Sequence, residues 1–183
     1  MCIQVSVVYN SSIDLIIGCL NSLMCQNYRC LEVTITNNIF NFHDLSVLLL
    51  DYHKYFKKIN VINNPIPLGF SFNHNRVLRD LSLDIKYVLL LNDDTVISPD
   101  ALGKLIALMD SDSRIGAATP ALYYPDGTPQ RSASYFPMGL HGVLLALSGR
   151  KVPVSAHARQ GTFWLRGVCL LLRVDALRAV GYL

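Results

Sequence analysis

The chain has 183 residues, 51% hydrophobic and 16% charged, and its 16 basic and 13 acidic residues give a net charge of +3. Soluble domains average about 25% charged residues, so the apolar share is high, and a chain of this length buries roughly 70% of its unfolded surface without a disulfide or structural metal. The composition excludes intrinsic disorder, and the charge is too small to mark a nucleic-acid binder.

Short β-rich runs alternate with helical patterns. Residues 3–9 (IQVSVVY) read as a first strand, followed by Ser11-Ser12 as a cap for a helix with Leu15, Cys19, Leu20 and Leu23 on one face. Residues 31–36 (LEVTIT) predict a second strand and residues 44–56 a helix. A third strand, 59–62, stops at Asn63-Asn64-Pro65, and 68–81 reads as a helix after an initial turn. The fourth strand, 87–91 (YVLLL), is apolar throughout, as expected of a central strand covered on both faces. Ser98-Pro99-Asp100 then starts a helix with Leu102, Leu105, Ile106 and Met109 on its buried face, and 115–119 predicts a fifth strand.

This order predicts an α/β fold with a mostly parallel sheet flanked by helices. After residue 120, Pro125-Asp126-Gly127-Thr128 signals a hairpin. Residues 163–173 read as one late strand, followed by a short helix ended by Gly181. With no repeat, low-complexity tract or linker, one domain is expected over 1–183, with a βα half (1–119) and a second half (120–183).

Five cysteines with no CxxC pair fit neither a disulfide framework nor a zinc site and read as small buried hydrophobes in a reducing cytosol. No histidine pair has metal-ligand spacing, so the five histidines read as surface or packing residues. The start lacks the basic region of a signal peptide, and no apolar run reaches the ~18 residues of a membrane span. Residues 136–149, followed by Arg150 and Lys151, form an uncharged stretch that reads as a buried helix, a loop or a peripheral membrane contact.

In open α/β sheets, ligands bind at the carboxyl ends of the strands. Small polar residues stand at each such end: Asn10, Asn37-Asn38, Asn63-Asn64 and Asn92-Asp93-Asp94. Adjacent carboxylates after a dry strand repel one another, and a hard cation, Mg²⁺ or Mn²⁺, relieves that repulsion while bridging to phosphate oxygens. A solvated loop with a capping Asp explains the same residues without a metal. Gly69 opens a helix whose backbone N–H groups can face an anion, with Asn75 farther along it. Trp164, with Arg166 and Gly167, reads as a wall for a sugar ring or as a core tryptophan. No GxGxxG, GxxxxGK[ST] or GxSxG occurs, which removes the signatures of dinucleotide oxidoreductases, P-loop NTPases and serine hydrolases.

Taken in order, VSVVYNS, LEVTITNN, NNPIPLGFSFNHN, YVLLLNDDTVISPDAL, IGAATPALYYPDGTPQRSASYFP and FWLRGVCLLLRVDALRAVGYL cover most of the chain. The ordered set resembles family 2 glycosyltransferases of the GT-A fold, particularly the rhamnosyltransferase-like branch that builds bacterial surface polysaccharides. The resemblance implies inverting, metal-dependent transfer from a nucleotide-diphosphate sugar, a dTDP- or UDP-sugar, to a saccharide or lipid-linked acceptor in the cytoplasm. It places Asp94 on the metal and Asn10, Asn37, Asn64, Gly69, Phe70, Asn75, Asn92 and Asp93 on the nucleotide and donor. Asn37 stands where relatives carry the aspartate that reads the base. Trp164 and Gly167 fall on the sugar and acceptor side. The catalytic base is expected beyond Leu183, after the VGGFDE-like segment that begins at Val180, so the chain reads as a core cut short. A nucleotide-sugar-binding relative without turnover and a sugar-phosphate nucleotidyltransferase remain as alternatives.

Overall fold

The computed structural model describes residues 2–39, 42–135 and 163–183. The 136–149 stretch considered for membrane contact therefore lies outside the described residues. Among the described residues, no helix is long and apolar enough to cross a membrane.

Contacts divide the chain into two compact units. The first joins Met1–Ala118 to Gly167–Leu183, and the second is Thr119–Arg166. Chain order in the first unit is β1 (Ile3–Tyr9), α1 (Ile13–Met24), β2 (Leu31–Asn37), α2 (Phe42–Leu50), β3 (Lys58–Asn63), α3 (Phe70–Leu78), β4 (Tyr87–Asn92), α4 (Ala101–Ser111) and β5 (Ala117–Ala118). The second unit holds β6 (Leu122–Tyr123), β7 (Pro129–Gln130), β8 (Ala133–Tyr135) and β9 (Phe163–Leu165). The chain then returns to the first unit as β10 (Cys169–Arg173) and α5 (Val174–Val180).

Six strands form one sheet in the order β3-β2-β1-β4-β10-β5. The first four are parallel, and β10 runs antiparallel between β4 and β5. Tyr87, Val88, Leu89, Leu90 and Leu91 are all buried, as their unbroken apolar run requires of a strand with neighbours on both sides and helices above and below. The strand order reverses between β1 and β4, the topological switch point where open sheets bind ligands. In-phase registers (Tyr9 with Asn37, Asn37 with Asn63, Val8 with Asn92) bring the polar strand ends to one edge.

Several expectations change. Residues 163–173 are two strands in different sheets, because the turn at Arg166-Gly167-Val168 ends β9 before β10 enters the main sheet. The fifth strand shrinks to two residues, since only Ala117 and Ala118 meet Leu172 and Leu171. The second helix spans Phe42–Leu50, and the chain leaves it through successive turns that return Lys57 N–H to Leu31 C=O and start β3. In α1, Ile16 is buried and Leu15 is exposed, so the stripe runs Ile16, Cys19, Leu20, Leu23. The expected face of α4 is buried as read.

The cysteine expectation is corrected too. Cys2 and Cys30 are joined by a disulfide, with Cα atoms 4.7 Å apart. They directly precede β1 and β2, whose first residues pair in parallel, so strand register brings together two cysteines 28 residues apart. Cys19 and Cys169 are the buried thiols, and Cys25 is exposed. The disulfide lies at the end of the sheet opposite the polar strand ends.

In the second unit, β6 and β7 form the expected hairpin. Gly127 takes the positive φ of +82° that its turn needs, and Asp126 accepts from both Thr128 N–H and Thr128 Oγ1–H.

Candidate active site at the sheet's carboxyl edge

The two carboxylates after β4 have different surroundings. Asp93 is buried, and its Oδ2 accepts Asn10 N–H (2.8 Å), Ser11 N–H (2.8 Å) and Ser11 Oγ–H (2.7 Å). It therefore spans the β1/β4 crevice and ties down the entry to α1. The expected Ser12 side-chain cap makes no capping bond; negative charge at this helix start comes from Asp14 in its first turn and from Asp93, 82 residues away from Ser11. Asp94, one residue on, is exposed, and among the described residues its one hydrogen-bond partner is Thr95 Oγ1 at 3.4 Å. Asn92 is half-buried, and its backbone N–H donates to Val168 C=O.

Along the other strand ends runs a ladder of buried amides. Asn38 Nδ2 donates to Asn10 Oδ1 (2.7 Å) and to Leu68 C=O (3.0 Å). Asn64 Nδ2 donates to Asn38 Oδ1 (2.5 Å) and Asn73 Oδ1 (2.7 Å), and Asn73 Nδ2 returns to Leu68 C=O (2.9 Å). Arg76 Nη1 donates to Asn64 Oδ1. Buried amides satisfied in this way rigidify the structure they join, here the ends of β1, β2 and β3 and the start of α3. Asn38 stood among the polar strand ends expected from sequence, whereas Asn73 and Arg76 were not singled out; the run of asparagines was the available signal.

Asn37 is fully buried. Its Oδ1 accepts Ile39 N–H (2.9 Å) and its Nδ2 donates to Asn63 Oδ1 (3.1 Å), a local turn motif. Asn75 bonds away from the strand ends: its Nδ2 donates to Leu183 C=O (2.9 Å), and its Oδ1 accepts Leu183 N–H (3.1 Å). Gly69 precedes α3, no side chain caps that helix start, and a Cβ at Gly69 would meet nothing within 4 Å. Trp164, 46% exposed, belongs to the second unit on β9, opposite Ser134.

Phe70 and Gly167 do meet. A Cβ on Gly167 would lie 2.4 Å from Phe70 Cζ, so the ring occupies the space a side chain would need. The same ring packs edge-on against His74, with centroids 4.3 Å apart, and His74 Nδ1 pairs with Ser6 Oγ at 2.8 Å. The Gly167→Ala variant is expected to turn the half-exposed Phe70 ring aside at a cost of about 1–2 kcal/mol. Loss of the Phe70 ring-current shift on the His74 imidazole protons, followed by NMR, checks it.

His74 is buried, and burial lowers its pKa from 6.5 to about 4. The fold thus favours the neutral ring. The associated stability is complete above pH 6.5 and drains as pH falls toward 4, a total of about 3 kcal/mol. The His74→Gln variant is expected to flatten urea stability between pH 6.5 and 5, above the range where the paired carboxylates take up protons; an unchanged slope would contradict this.

The donor set fits a hard divalent ion of the Mg²⁺ or Mn²⁺ type. Such ions are held by one or two carboxylates with substrate phosphates and water completing the shell. Asp94 supplies one exposed carboxylate, and among the described residues no cluster of three or more His, Cys, Asp or Glu forms an all-protein cage.

A mostly parallel sheet, ordered 3-2-1-4 with an antiparallel strand beside β4 and flanked by helices, matches the architecture of GT-A glycosyltransferases. The chain belongs to glycosyl transferase family 2, whose family model matches residues 5–177. It is similar to protein y4gI of Sinorhizobium fredii (strain NBRC 101917 / NGR234), 30% identical over an alignment of 134 positions that covers 68% of this chain and 14% of that protein. Among solved structures, mannosyltransferase PcManGT from Pyrobaculum calidifontis in complex with GDP-Man and Mn²⁺ superposes with a TM-score of 0.67 at 16% identity, over 98% of this chain and 46% of that one. S. aureus TarS 1-349 in complex with UDP-GlcNAc gives 0.64 at 18% identity, over 100% of this chain and 48% of that one. The chain thus spans a small part of the curated relative and just under half of these structures.

Proposed function

We propose that this chain is the donor-binding core of a glycosyltransferase that moves a hexosyl or rhamnosyl group from a UDP- or dTDP-sugar to a saccharide or lipid-linked acceptor, with inversion, in polysaccharide biosynthesis. The observation that carries this reading is the division of labour at the end of β4: Asp93 is turned inward onto Asn10 and Ser11, and Asp94 is left facing solvent at the switch point. Asp94 would hold Mn²⁺ or Mg²⁺, which when bound supplies Lewis-acid stabilisation to a departing diphosphate. Asp93 and the amide ladder hold the strand ends rigid, so a diphosphate meets a preorganised edge. The uncapped start of α3 adds backbone N–H groups of the right polarity for an anion.

Two structures of this fold are complexes with a nucleotide sugar, GDP-Man with Mn²⁺ in one and UDP-GlcNAc in the other, which supports the substrate class. Cytoplasmic placement, at the membrane face where a lipid-linked acceptor lies, goes with this reading. Calorimetry of the chain with UDP- and dTDP-sugars, with and without Mn²⁺, tests it. Binding that requires the metal is expected; absence of metal-dependent binding to any nucleotide sugar sinks the proposal.

A further inference from the structure

How the site recognises a base is not explained by Asn37, whose amide is buried and engaged by Ile39 and Asn63. A different pair of side chains stands at the same edge. The buried stripe of α3 is Asn73, His74, Val77 and Leu78. On the opposite stripe Phe72 and Arg76 are both exposed and four residues apart, hence neighbours on the helix surface. Phe72 leaves 55% of its surface exposed, an apolar face outside the buried core.

Arg76 does not trail into solvent. Helical side chains lean toward the helix start, and its Nη1 is tethered to Asn64 Oδ1, the outermost rung of the amide ladder. Among the described residues no carboxylate pairs with this guanidinium. The tether therefore places an uncompensated cation, with further N–H donors, at the end of β3. Asp94 follows β4, and β4 and β3 are three strand steps apart, about 14 Å. A diphosphate held at Asp94 and a nucleoside laid along the ends of β1 and β2 would bring the base to Arg76 and Phe72.

We propose that Phe72 and Arg76 form the base-recognition platform of this site. Phe72 offers a stacking face, and Arg76 donates to the carbonyl oxygens of a base with an acceptor edge: uracil, thymine or guanine. Cytosine and adenine carry an amino donor at the matching edge and are disfavoured. The inference rests on the donor site proposed above.

The test is calorimetry of the wild-type chain, Arg76→Gln and Phe72→Ala with UDP, GDP, CDP and ADP, each with Mn²⁺, and with pyrophosphate as a base-free probe. Wild type is expected to prefer UDP and GDP. Arg76→Gln should bind those two about tenfold more weakly while CDP, ADP and pyrophosphate change little, so the preference collapses. Phe72→Ala should weaken all four nucleotides about tenfold and leave pyrophosphate unchanged. Phe72 lies outside the core, so thermal melting of that variant should match wild type. Variants that bind all four nucleotides as wild type does overturn the platform alone. So does an equal loss for pyrophosphate, which would make Arg76 a general phosphate-attracting charge. A wild-type chain that binds none of the five ligands overturns the donor site and the platform together.

Discussion

Replacing Asp93 with alanine is expected to lower folding stability by about 3–5 kcal/mol, a large part of the 5–15 kcal/mol typical of a domain. The carboxylate accepts two backbone N–H groups and one hydroxyl at 2.7–2.8 Å, all charge-assisted, and its removal leaves those donors unpaired in a crevice. Such bonds are worth roughly 1.5–3 kcal/mol each and do not add fully. Asp93→Asn keeps one acceptor oxygen and should lose about half as much. Urea unfolding at neutral pH reads both; a loss under about 1 kcal/mol for Asp93→Ala would show that Asp93 is not the latch of the α1 entry.

The neighbouring substitution should behave in the opposite way. Asp94 is exposed and has no strong partner among the described residues. Asp94→Asn should therefore melt like wild type, within about 0.5 kcal/mol. Nucleoside-diphosphate binding in Mn²⁺ should nevertheless fall by roughly two orders of magnitude, since a carboxylate that anchors a cation is worth several kcal/mol. A variant that melts normally and still binds UDP tightly in Mn²⁺ would remove Asp94 from the metal. Two adjacent aspartates thus carry separable roles, one read in urea and the other in a titration.

The parallel half of the sheet was legible because its cues are local. Alternating or continuous β-branched and apolar runs define β1, β2 and β4, and the all-apolar YVLLL run corresponds to a strand buried along its length. The face of α4 could be read from spacing alone, since Leu102, Leu105, Ile106 and Met109 all point inward. What depended on pairing between distant segments was not legible. The break between β9 and β10 follows from each piece entering a different sheet. The Cys2–Cys30 disulfide follows from the register of β1 against β2.

The same division holds at the site. That polar strand ends converge was readable from their positions after each strand. Which atoms they spend on one another was not, because Asp93 reaches across to β1 and Asn75 is taken up by Leu183, 108 residues away. Arg76 shows this most clearly. From sequence it is one cation in a polar helix, and only its bond to Asn64 turns it toward the strand ends.

The most direct test of a metal-held diphosphate at the end of β4 is paramagnetic broadening of backbone amides by Mn²⁺ in the presence of UDP, followed by NMR on the labelled chain. Broadening that begins at Asp94, Thr95, Asn10 and Ser11, spares Arg114 and Arg178, and vanishes in Asp94→Asn is the expected result. Broadening centred elsewhere, or unchanged by Asp94→Asn, would contradict it.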